Sequence, residues 1–452
     1  MALGEQIEIN LETKIKNLVK QRFMLNENCF LIKGAKRGAI YDLKSGDVYS
    51  VGEEAKEILD RCEQGFPVSQ IIQLFPKVGS QEIVEYLNQL ETMGLGKFLK
   101  KGEIINKISL QPSESILDFL WLEITKRCNL SCVHCYANNN PTSFGEKLII
   151  EDWEKVLKEA FDVGCRKVQF TGGEPFLAKE LLFSLAKKIR EIGYEEIEIF
   201  TNGTLLDGKA IQEISKLAIK VAVSFYSKDP KVHDLVTQKK GSYFKTLKGL
   251  KKLKRAGIPT RVAITVTKIN QDTLFETINF LKQDVGIEAI GYDFVRPIGR
   301  GHDFRIFPDK FTREMERRKS VFPKINIDEF LRRIKGPNCF FKSMCITSSG
   351  EAIPCIMARD LILGNVLEES IQTIMKHPQA EAIRRLNKDK IETCKDCEYR
   401  YACFDCRPKT KGENGNLFAK PPECFYDPCS GIWKTKVEAK DERDKNLNNL
   451  LL

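Results

Sequence analysis

Three cysteines fall within eight residues, in the stretch Cys128-Asn-Leu-Ser-Cys132-Val-His-Cys135. The stretch follows an apolar, strand-like run at 119–125 and leads into a polar loop. Three thiolates at these spacings can hold one iron–sulfur cube and leave its fourth iron without a protein ligand. A structural zinc site is normally closed by four ligands, and His134 is expected to point away from a metal bound by its neighbour. We favour the iron–sulfur site over a zinc site with a distant fourth ligand, or reduced core cysteines.

A second motif, Thr171-Gly172-Gly173-Glu174-Pro175, follows the next strand-like run. With both motifs in this order, the chain resembles the radical S-adenosylmethionine (radical SAM) enzymes. In that family a CxxxCxxC loop after the first barrel strand holds a [4Fe–4S] cluster, and the glycine-rich turn holds the methionyl amino group of SAM. The resemblance implies that the three cysteines are the catalytic cluster ligands. The cofactor-binding residues that it implies are Gly172, Gly173, Glu174, Asn202, Ser224 and Arg296.

Residues 111–325 alternate between strand-like and helix-like segments. The strand candidates are 119–125, 167–170, 196–200, 219–225, 260–267 and 289–296. The helical patterns are 151–163, 178–192, 208–217, 243–256 and 271–284. This alternation predicts an α/β fold with a parallel sheet and right-handed crossovers. The radical SAM resemblance implies a partial (β/α)6 barrel, and barrel enzymes carry their chemistry at the carboxyl ends of the strands.

Residues 1–110 predict a separate domain, with three short strands followed by three helical patterns. This winged-helix-like order resembles the recognition domain fused to enzymes that modify ribosomally made peptides. The resemblance implies that a precursor peptide is captured through its leader segment by addition of a strand to an exposed sheet edge. The alternatives are a winged helix that only packs on the barrel, or one that binds DNA.

Residues 326–440 are rich in cysteine, and residues 441–452 are read as a solvated tail. The cysteines of this region are Cys339, Cys345, Cys355, Cys394, Cys397, Cys403, Cys406, Cys424 and Cys429. Nine cysteines can hold two further cubes with one left over, although the two CxxC pairs also fit a four-cysteine zinc ribbon.

The spacing of these cysteines resembles the SPASM extension of radical SAM enzymes, which carries auxiliary [4Fe–4S] clusters. By that resemblance a nearer cluster is held by Cys339, Cys345, Cys355 and Cys406. An outer cluster is held by Cys394, Cys397 and Cys403 together with either Cys424 or Cys429. If Cys345 is not a ligand, the nearer cluster has an open iron for a substrate thiolate. The chain departs from many members in having two residues, rather than three, between Cys403 and Cys406.

The composition limits the cellular compartment and the binding partners that we expect for the protein. The N-terminus lacks the basic start and apolar run of a signal peptide, and no run approaches ~18 apolar residues, so we expect a cytoplasmic protein with no membrane span. The fifteen cysteines indicate metal binding, because disulfides are rare in the cytosol. The net charge of +10 is spread thinly, without a dense basic cluster interleaved with aromatic residues, so nucleic acid is not an expected partner.

The whole arrangement resembles the sactipeptide and ranthipeptide maturases, including the segments 123–128, 232–234 and 299–301. The resemblance implies an oxidoreductase that uses a 5′-deoxyadenosyl radical to install thioether crosslinks in a precursor peptide. It also implies a reductant such as flavodoxin or ferredoxin. The alternatives are another radical modification, namely a carbon–carbon crosslink or epimerisation, and, from a different class, a DNA-binding redox sensor.

Overall fold

The computed structural model describes residues 17–110, 117–309, 324–336 and 340–434. The strands are β1 (Arg22–Leu25), β2 (Cys29–Lys33), β3 (Gly38–Asp42), β4 (Asp47–Val51), β5 (Gly96–Leu99), β6 (Phe119–Glu123), β7 (Lys167–Thr171), β8 (Glu196–Thr201), β9 (Lys220–Ser224), β10 (Thr260–Val266), β11 (Ala289–Phe294), β12 (Ser343–Ile346), β13 (Glu351–Ile353), β14 (Gly364–Asn365), β15 (Tyr426–Asp427) and β16 (Ile432–Trp433).

The helices are α1 (Glu53–Glu63), α2 (Val68–Leu74), α3 (Ser80–Thr92), α4 (Ile150–Asp162), α5 (Lys179–Ile192), α6 (Gly208–Lys216), α7 (Pro230–Thr237), α8 (Ser242–Arg255), α9 (Leu274–Phe280), α10 (Ile327–Lys335), α11 (Ile371–Lys376), α12 (Pro378–Arg384) and α13 (Arg407–Asn414). The pattern predicted at 271–284 is not one regular helix. It divides into a 3-10 helix at Gln271–Thr273, then α9, then a short π-helix at Leu281–Val285.

Strands β6 to β11 form a parallel sheet in sequential order, which confirms the partial (β/α)6 barrel. Each strand pairs with the next because a helical crossover returns the chain in the same direction. The crossover helices bury one apolar face against the sheet, as α4 does with Trp153, Val156 and Leu157. The carboxyl ends of the six strands therefore meet at one edge.

The sheet does not stop at β6. Strand β12 pairs with β6 in parallel, with Cys345 opposite Trp121, and β13 and β14 extend the sheet as antiparallel strands. The resulting order is β11-β10-β9-β8-β7-β6-β12-β13-β14. The first cysteine-bearing strand of the C-terminal region is thus hydrogen-bonded to the strand that leads into the Cys128 loop.

The N-terminal region has the expected winged-helix-like layout of β2, β3 and β4 with α1, α2 and α3. An antiparallel pair of β1 with β5, which the sequence pattern did not predict, closes the region. One face of the three-stranded sheet packs on its own helices through Ile40 and Leu59. Its other face packs through Tyr41 on α10 and on the loop around Tyr401. In the described part of the chain, no helix is both long and apolar enough to cross a membrane.

Candidate active site

The loop that carries Cys128, Cys132 and Cys135 lies between β6 and α4 and is held by its backbone. The Ser131 amide donates to the Thr237 carbonyl at 3.2 Å, and the Val133 amide donates to the Val236 carbonyl at 3.0 Å. Both acceptors belong to the last turn of α7, where helix carbonyls have no partner within the helix. The end of α7 therefore fixes the path of the cysteine loop, a contact that the sequence analysis missed.

Arg300 holds the other side of this loop. Its side chain donates to the carbonyls of Cys132 at 2.7 Å and Asn139 at 2.8 Å, and its amide donates to the Cys135 carbonyl at 3.0 Å. The neighbouring Gly299 has a φ of 58°, and a Cβ there would lie 2.4 Å from the Tyr136 carbonyl oxygen. Only glycine fits this position, which explains the Gly-Arg-Gly segment at 299–301 in physical terms.

The three thiols lie close together and are half-buried. Burial raises the pKa of Cys128 and of Cys132 to about 12. The Asn202 side chain lies at the Cys128 sulfur and the Tyr226 hydroxyl at the Cys132 sulfur, and each opposes that rise by stabilising the thiolate. Three neighbouring thiols, two of them with a donor at the sulfur, fit a cluster that has one iron without a protein ligand.

His134 lies within this loop but packs edge-on against the Tyr226 ring, with the centroids 4.9 Å apart. Its buried Nδ1 has no hydrogen-bond partner among the described residues. Burial lowers the pKa of His134 to about 4. The imidazole is thus part of the neutral packing behind the loop.

The glycine-rich turn is pressed against the start of the cysteine loop. The Gly173 amide donates to the Thr125 carbonyl at 2.7 Å, and the Glu174 amide donates to the Arg127 carbonyl at 2.8 Å. A Cβ on Gly173 would lie 1.9 Å from the Arg127 carbonyl oxygen. Because no side chain fits there, the two sequence motifs form one backbone unit.

The Glu174 side chain is fully buried and occupied by donors of the protein. Its carboxylate accepts from the Phe176 amide at 3.1 Å, the Thr201 hydroxyl at 2.6 Å and the Asn202 amide at 2.8 Å. Burial raises the pKa of Glu174 to about 6, and these donors oppose that rise. The carboxylate therefore ties the turn after β7 to the end of β8, which places Asn202 beside the cysteine loop.

The other expected SAM contacts lie in two different places. Ser224 ends β9, and its hydroxyl contacts the Tyr226 hydroxyl next to Cys132. The Arg296 guanidinium instead donates to the sulfur atoms of Met357 at 3.1 Å and Cys406 at 3.2 Å. Arg296 therefore lies at the expected nearer auxiliary site.

Three of the expected nearer auxiliary cysteines gather beside the carboxyl edge of the barrel. Burial raises the pKa of Cys345 and of Cys406, and in both cases the Cys355 thiol contributes to the rise, which places these three groups close together. Cys345 is fully buried in β12. Cys339, the fourth expected ligand, lies outside the described residues.

A buried ion pair joins this site to the barrel. Glu123, the last residue of β6, has no exposed surface and is paired with Arg359, which follows Cys355 by four positions. Tyr136 of the cysteine loop lies close enough to both side chains for their charges to act on its hydroxyl. The sequence analysis did not single out Arg359, since nothing local in the sequence connects it with Glu123.

Four outer cysteines, Cys394, Cys397, Cys403 and Cys424, line one cavity. The fifth candidate, Cys429, is exposed. The geometry therefore favours Cys424 as the fourth ligand of the outer cluster. Burial raises the pKa of Cys394 to about 12, and the nearby Lys388 ammonium opposes that rise.

The zinc alternatives require four ligands at about 2.3 Å from one ion. Within the described ranges, no group of three or more His, Cys, Asp or Glu side chains is placed to hold a single metal ion.

Two family profiles match the chain. Residues 122–281 match the radical SAM superfamily, and residues 339–398 match SPASM, an iron–sulfur cluster-binding domain. The first segment contains all three cysteines of the CxxxCxxC loop, and the second contains the first five of the nine cysteines of the C-terminal region. The matches confirm the [4Fe–4S] clusters and SAM as the cofactors.

Among curated proteins, the chain is 31% identical over 323 residues to the antilisterial bacteriocin subtilosin biosynthesis protein AlbA of Bacillus subtilis. That match covers 67% of this chain and 70% of AlbA. The AdoMet-dependent heme synthase of Methanosarcina barkeri is 26% identical over 340 residues, which cover 68% of this chain and 95% of the synthase.

Among solved structures, Streptococcus suis SuiB bound to S-adenosylmethionine has a TM-score of 0.56 and 16% identity, covering 89% of this chain and 99% of that chain. SuiB bound to its precursor peptide SuiA has a TM-score of 0.55 and 16% identity, covering 88% and 98%. At this identity the likeness shows a shared fold that extends over the N-terminal region as well as the barrel.

Proposed function

The chain belongs to the radical SAM superfamily, among the peptide maturases with a SPASM domain, and from this premise we propose that it installs thioether crosslinks in a ribosomally made peptide. The bond would join a cysteine sulfur of the peptide to a carbon of another residue. AlbA, a subtilosin biosynthesis protein, supports a peptide substrate. The heme synthase similarity is weaker, at 26% identity.

One observation carries this proposal: Cys345 of the nearer auxiliary site lies on the same sheet as the strand that leads into the Cys128 loop. Strand β12 bears Cys345 and pairs directly with β6, and the Glu123–Arg359 ion pair joins the two sites. A peptide bound at the carboxyl edge of the barrel would lie between the radical-forming site and the auxiliary site. Thioether formation needs both, because a carbon must lose hydrogen and a sulfur must be held nearby.

When bound, SAM and the clusters supply the radical chemistry that takes one hydrogen atom from the peptide carbon and the route by which one electron leaves. The sulfur–carbon bond then forms as the cysteine thiol loses its proton, so that the peptide loses two hydrogens in all. The protein holds the cluster loop through Arg300 and excludes water from it. Asn202 and Ser224 are our candidates for SAM contacts, together with the backbone of Gly172 and Gly173.

We assign residues 1–110 to recognition of the peptide's leader segment. The three-stranded sheet has the order β2-β3-β4, so β4 is an edge strand to which an extended peptide can add. The structure of SuiB with its precursor peptide SuiA supports a precursor peptide as the partner. A flavodoxin or ferredoxin is the proposed reductant.

The test is to co-express the enzyme with a cysteine-containing precursor peptide, then alkylate the product and measure its mass. Loss of two hydrogens per site, with the cysteine blocked to alkylation, is the expected result. Loss of two hydrogens with free cysteines would instead indicate a carbon–carbon crosslink. Unchanged mass with deuterium gained from heavy water would indicate an epimerase. Either result would refute thioether formation while keeping the family.

The assignment of the site is tested with Cys132→Ala, in which the cluster loop loses one proposed ligand, and Cys165→Ala is the matched control. We expect no 5′-deoxyadenosine and no modified peptide from Cys132→Ala. By contrast, Cys165→Ala changes a buried thiol in the barrel core and should retain both activities. Modification by Cys132→Ala at the normal rate would overturn the assignment of the site.

A further inference from the structure

Lys388 is a buried cation placed against the sulfur of a proposed cluster ligand. Its side chain is 11% exposed, and its ammonium donates to the Cys403 sulfur at 3.5 Å and to the Asp405 carboxylate at 2.6 Å. Lys388 also lines the cavity formed by the four outer cysteines. The sequence analysis gave this lysine no role, because it lies outside every motif.

The charges around Lys388 do not cancel. Asp405 also accepts two hydrogen bonds from Arg407, at 3.1 and 2.6 Å, and the Arg407 side chain is 1% exposed. One buried carboxylate thus faces two buried cations, which leaves an excess positive charge inside the domain. Buried charge is costly unless an opposite charge lies next to it. The thiolates of the outer cluster, beginning with Cys403, supply that opposite charge.

Asp405 also lies in the short segment that links the two auxiliary sites. It stands between Cys403, a proposed outer ligand, and Cys406, a proposed nearer ligand. Lys388 and Arg407 both donate to the Asp405 carboxylate, so they fix this two-residue connection. The arrangement places two cationic donors, and one net positive charge, on the outer-cluster side of the segment between Cys403 and Cys406.

We propose that Lys388 is a positioning residue of the outer auxiliary cluster, which compensates the charge of its thiolates and stabilises its reduced form. A cluster with four thiolates is negatively charged and becomes more so when it gains an electron. Hydrogen bonds to the sulfurs and nearby charge are among the terms that set the reduction potential of a cluster. A cation at Cys403 therefore favours the transfer of an electron outward. This inference rests on the proposed function, in which the single electron released as the sulfur–carbon bond forms leaves through the auxiliary clusters.

The test is a redox titration of the fully loaded enzyme, monitored by electron paramagnetic resonance without SAM or peptide. The outer-cluster signal is identified as the one altered by Cys424→Ser. In Lys388→Met we expect the ratio of reduced to oxidised outer cluster, at the wild-type midpoint potential, to fall about tenfold, which is about 59 mV for one electron. Lys388→Arg, which keeps the charge and the donors, should restore the wild-type value.

Lys409→Met is the matched control, because the Lys409 side chain is also 11% exposed and pairs with a carboxylate, Glu423, at 3.1 Å. We expect no comparable shift of the outer-cluster potential in this variant. An unchanged potential in Lys388→Met, or an equal shift in Lys409→Met, would overturn the proposal. Since no peptide is present, failure of the thioether proposal does not affect this readout.

If Lys388→Met does not retain the outer cluster, Lys388→Gln decides, because it keeps a donor without the charge. A lowered potential in Lys388→Gln supports charge compensation, and a wild-type potential refutes it. Loss of the cluster from both neutral variants but not from Lys388→Arg also supports the proposal. Loss from all three variants would show a packing requirement only and would refute it.

Discussion

The two auxiliary sites are built in different ways. The nearer site takes Cys345 from a strand of the barrel's own sheet and is tied to β6 by the Glu123–Arg359 ion pair. The outer site takes its cysteines from loops, which are held by contacts with the N-terminal region. Its Glu398 carbonyl accepts from the Tyr41 hydroxyl at 2.9 Å. The difference teaches that the nearer site shares the stability of the barrel, whereas the outer site depends on a domain more than 350 positions away in sequence.

Arg359→Met should have the largest effect, because it leaves the Glu123 carboxylate buried without its partner. We expect a loss of about 3–5 kcal/mol of unfolding free energy, with loss of iron from the nearer site. Chemical denaturation measures the unfolding free energy, and iron analysis measures the iron content of the nearer site. The double variant Glu123→Leu/Arg359→Met should recover much of the stability. A single variant as stable as wild type would show that the ion pair does not join the sites.

Gly34→Ala should weaken the outer site. A Cβ at Gly34 would lie 2.7 Å from the Glu398 carboxylate and 2.9 Å from the Asp396 carbonyl oxygen. Overpacking of this kind costs about 1–3 kcal/mol. We expect iron to be lost from the outer site first. The electron paramagnetic resonance signals of the separate clusters measure this loss. Gly52→Ala is the control, because nothing lies within 4 Å of its Cβ position. Equal behaviour of the two variants would contradict the dependence on the N-terminal region.

Tyr41→Phe tests the same contact more gently. The variant removes the donor to the Glu398 carbonyl and the acceptor of the Ala402 amide, at 3.1 Å, which should cost about 1–2 kcal/mol. Tyr194→Phe removes a comparable buried bond, to the Leu157 carbonyl at 2.7 Å, from the barrel. We expect thermal unfolding to respond to both, but outer-cluster retention to respond to Tyr41→Phe alone. Loss of the outer cluster from Tyr194→Phe would contradict the proposal that the outer site depends on the N-terminal region rather than on the barrel.

Cys429→Ala should have the smallest effect. Its thiol is exposed, whereas Cys424 lines the outer cavity. We expect wild-type iron content and product from Cys429→Ala, and loss of outer-cluster iron from Cys424→Ala. The reverse pattern would reassign the fourth ligand.

Local pattern predicted most of the barrel and both cysteine groups, because strand alternation, helical period and motif spacing are properties of neighbouring residues. It did not predict the pairing of β12 with β6, the β1–β5 pair or the Glu123–Arg359 ion pair. These contacts join residues far apart in sequence, and no local signal encodes their partners. Arg296 shows the same limit, since a residue after the last barrel strand could serve SAM or an auxiliary cluster, and its contact with Cys406 was visible only in three dimensions.

The continuity of the sheet across β6 and β12 has a consequence for protein engineering. A chimera that joined this barrel to another C-terminal region at residue 326 would replace a strand that completes the barrel's hydrogen-bonded edge. The donor strand would have to match the side chains and register of β6, including the pairing of residue 345 with Trp121. An exchange placed after β14 would leave that ladder intact and would transfer the outer cysteines together with Cys406 and the helices α11 to α13. The part of this chain that can be exchanged as a unit therefore begins after β14, later than the cysteine spacing suggests.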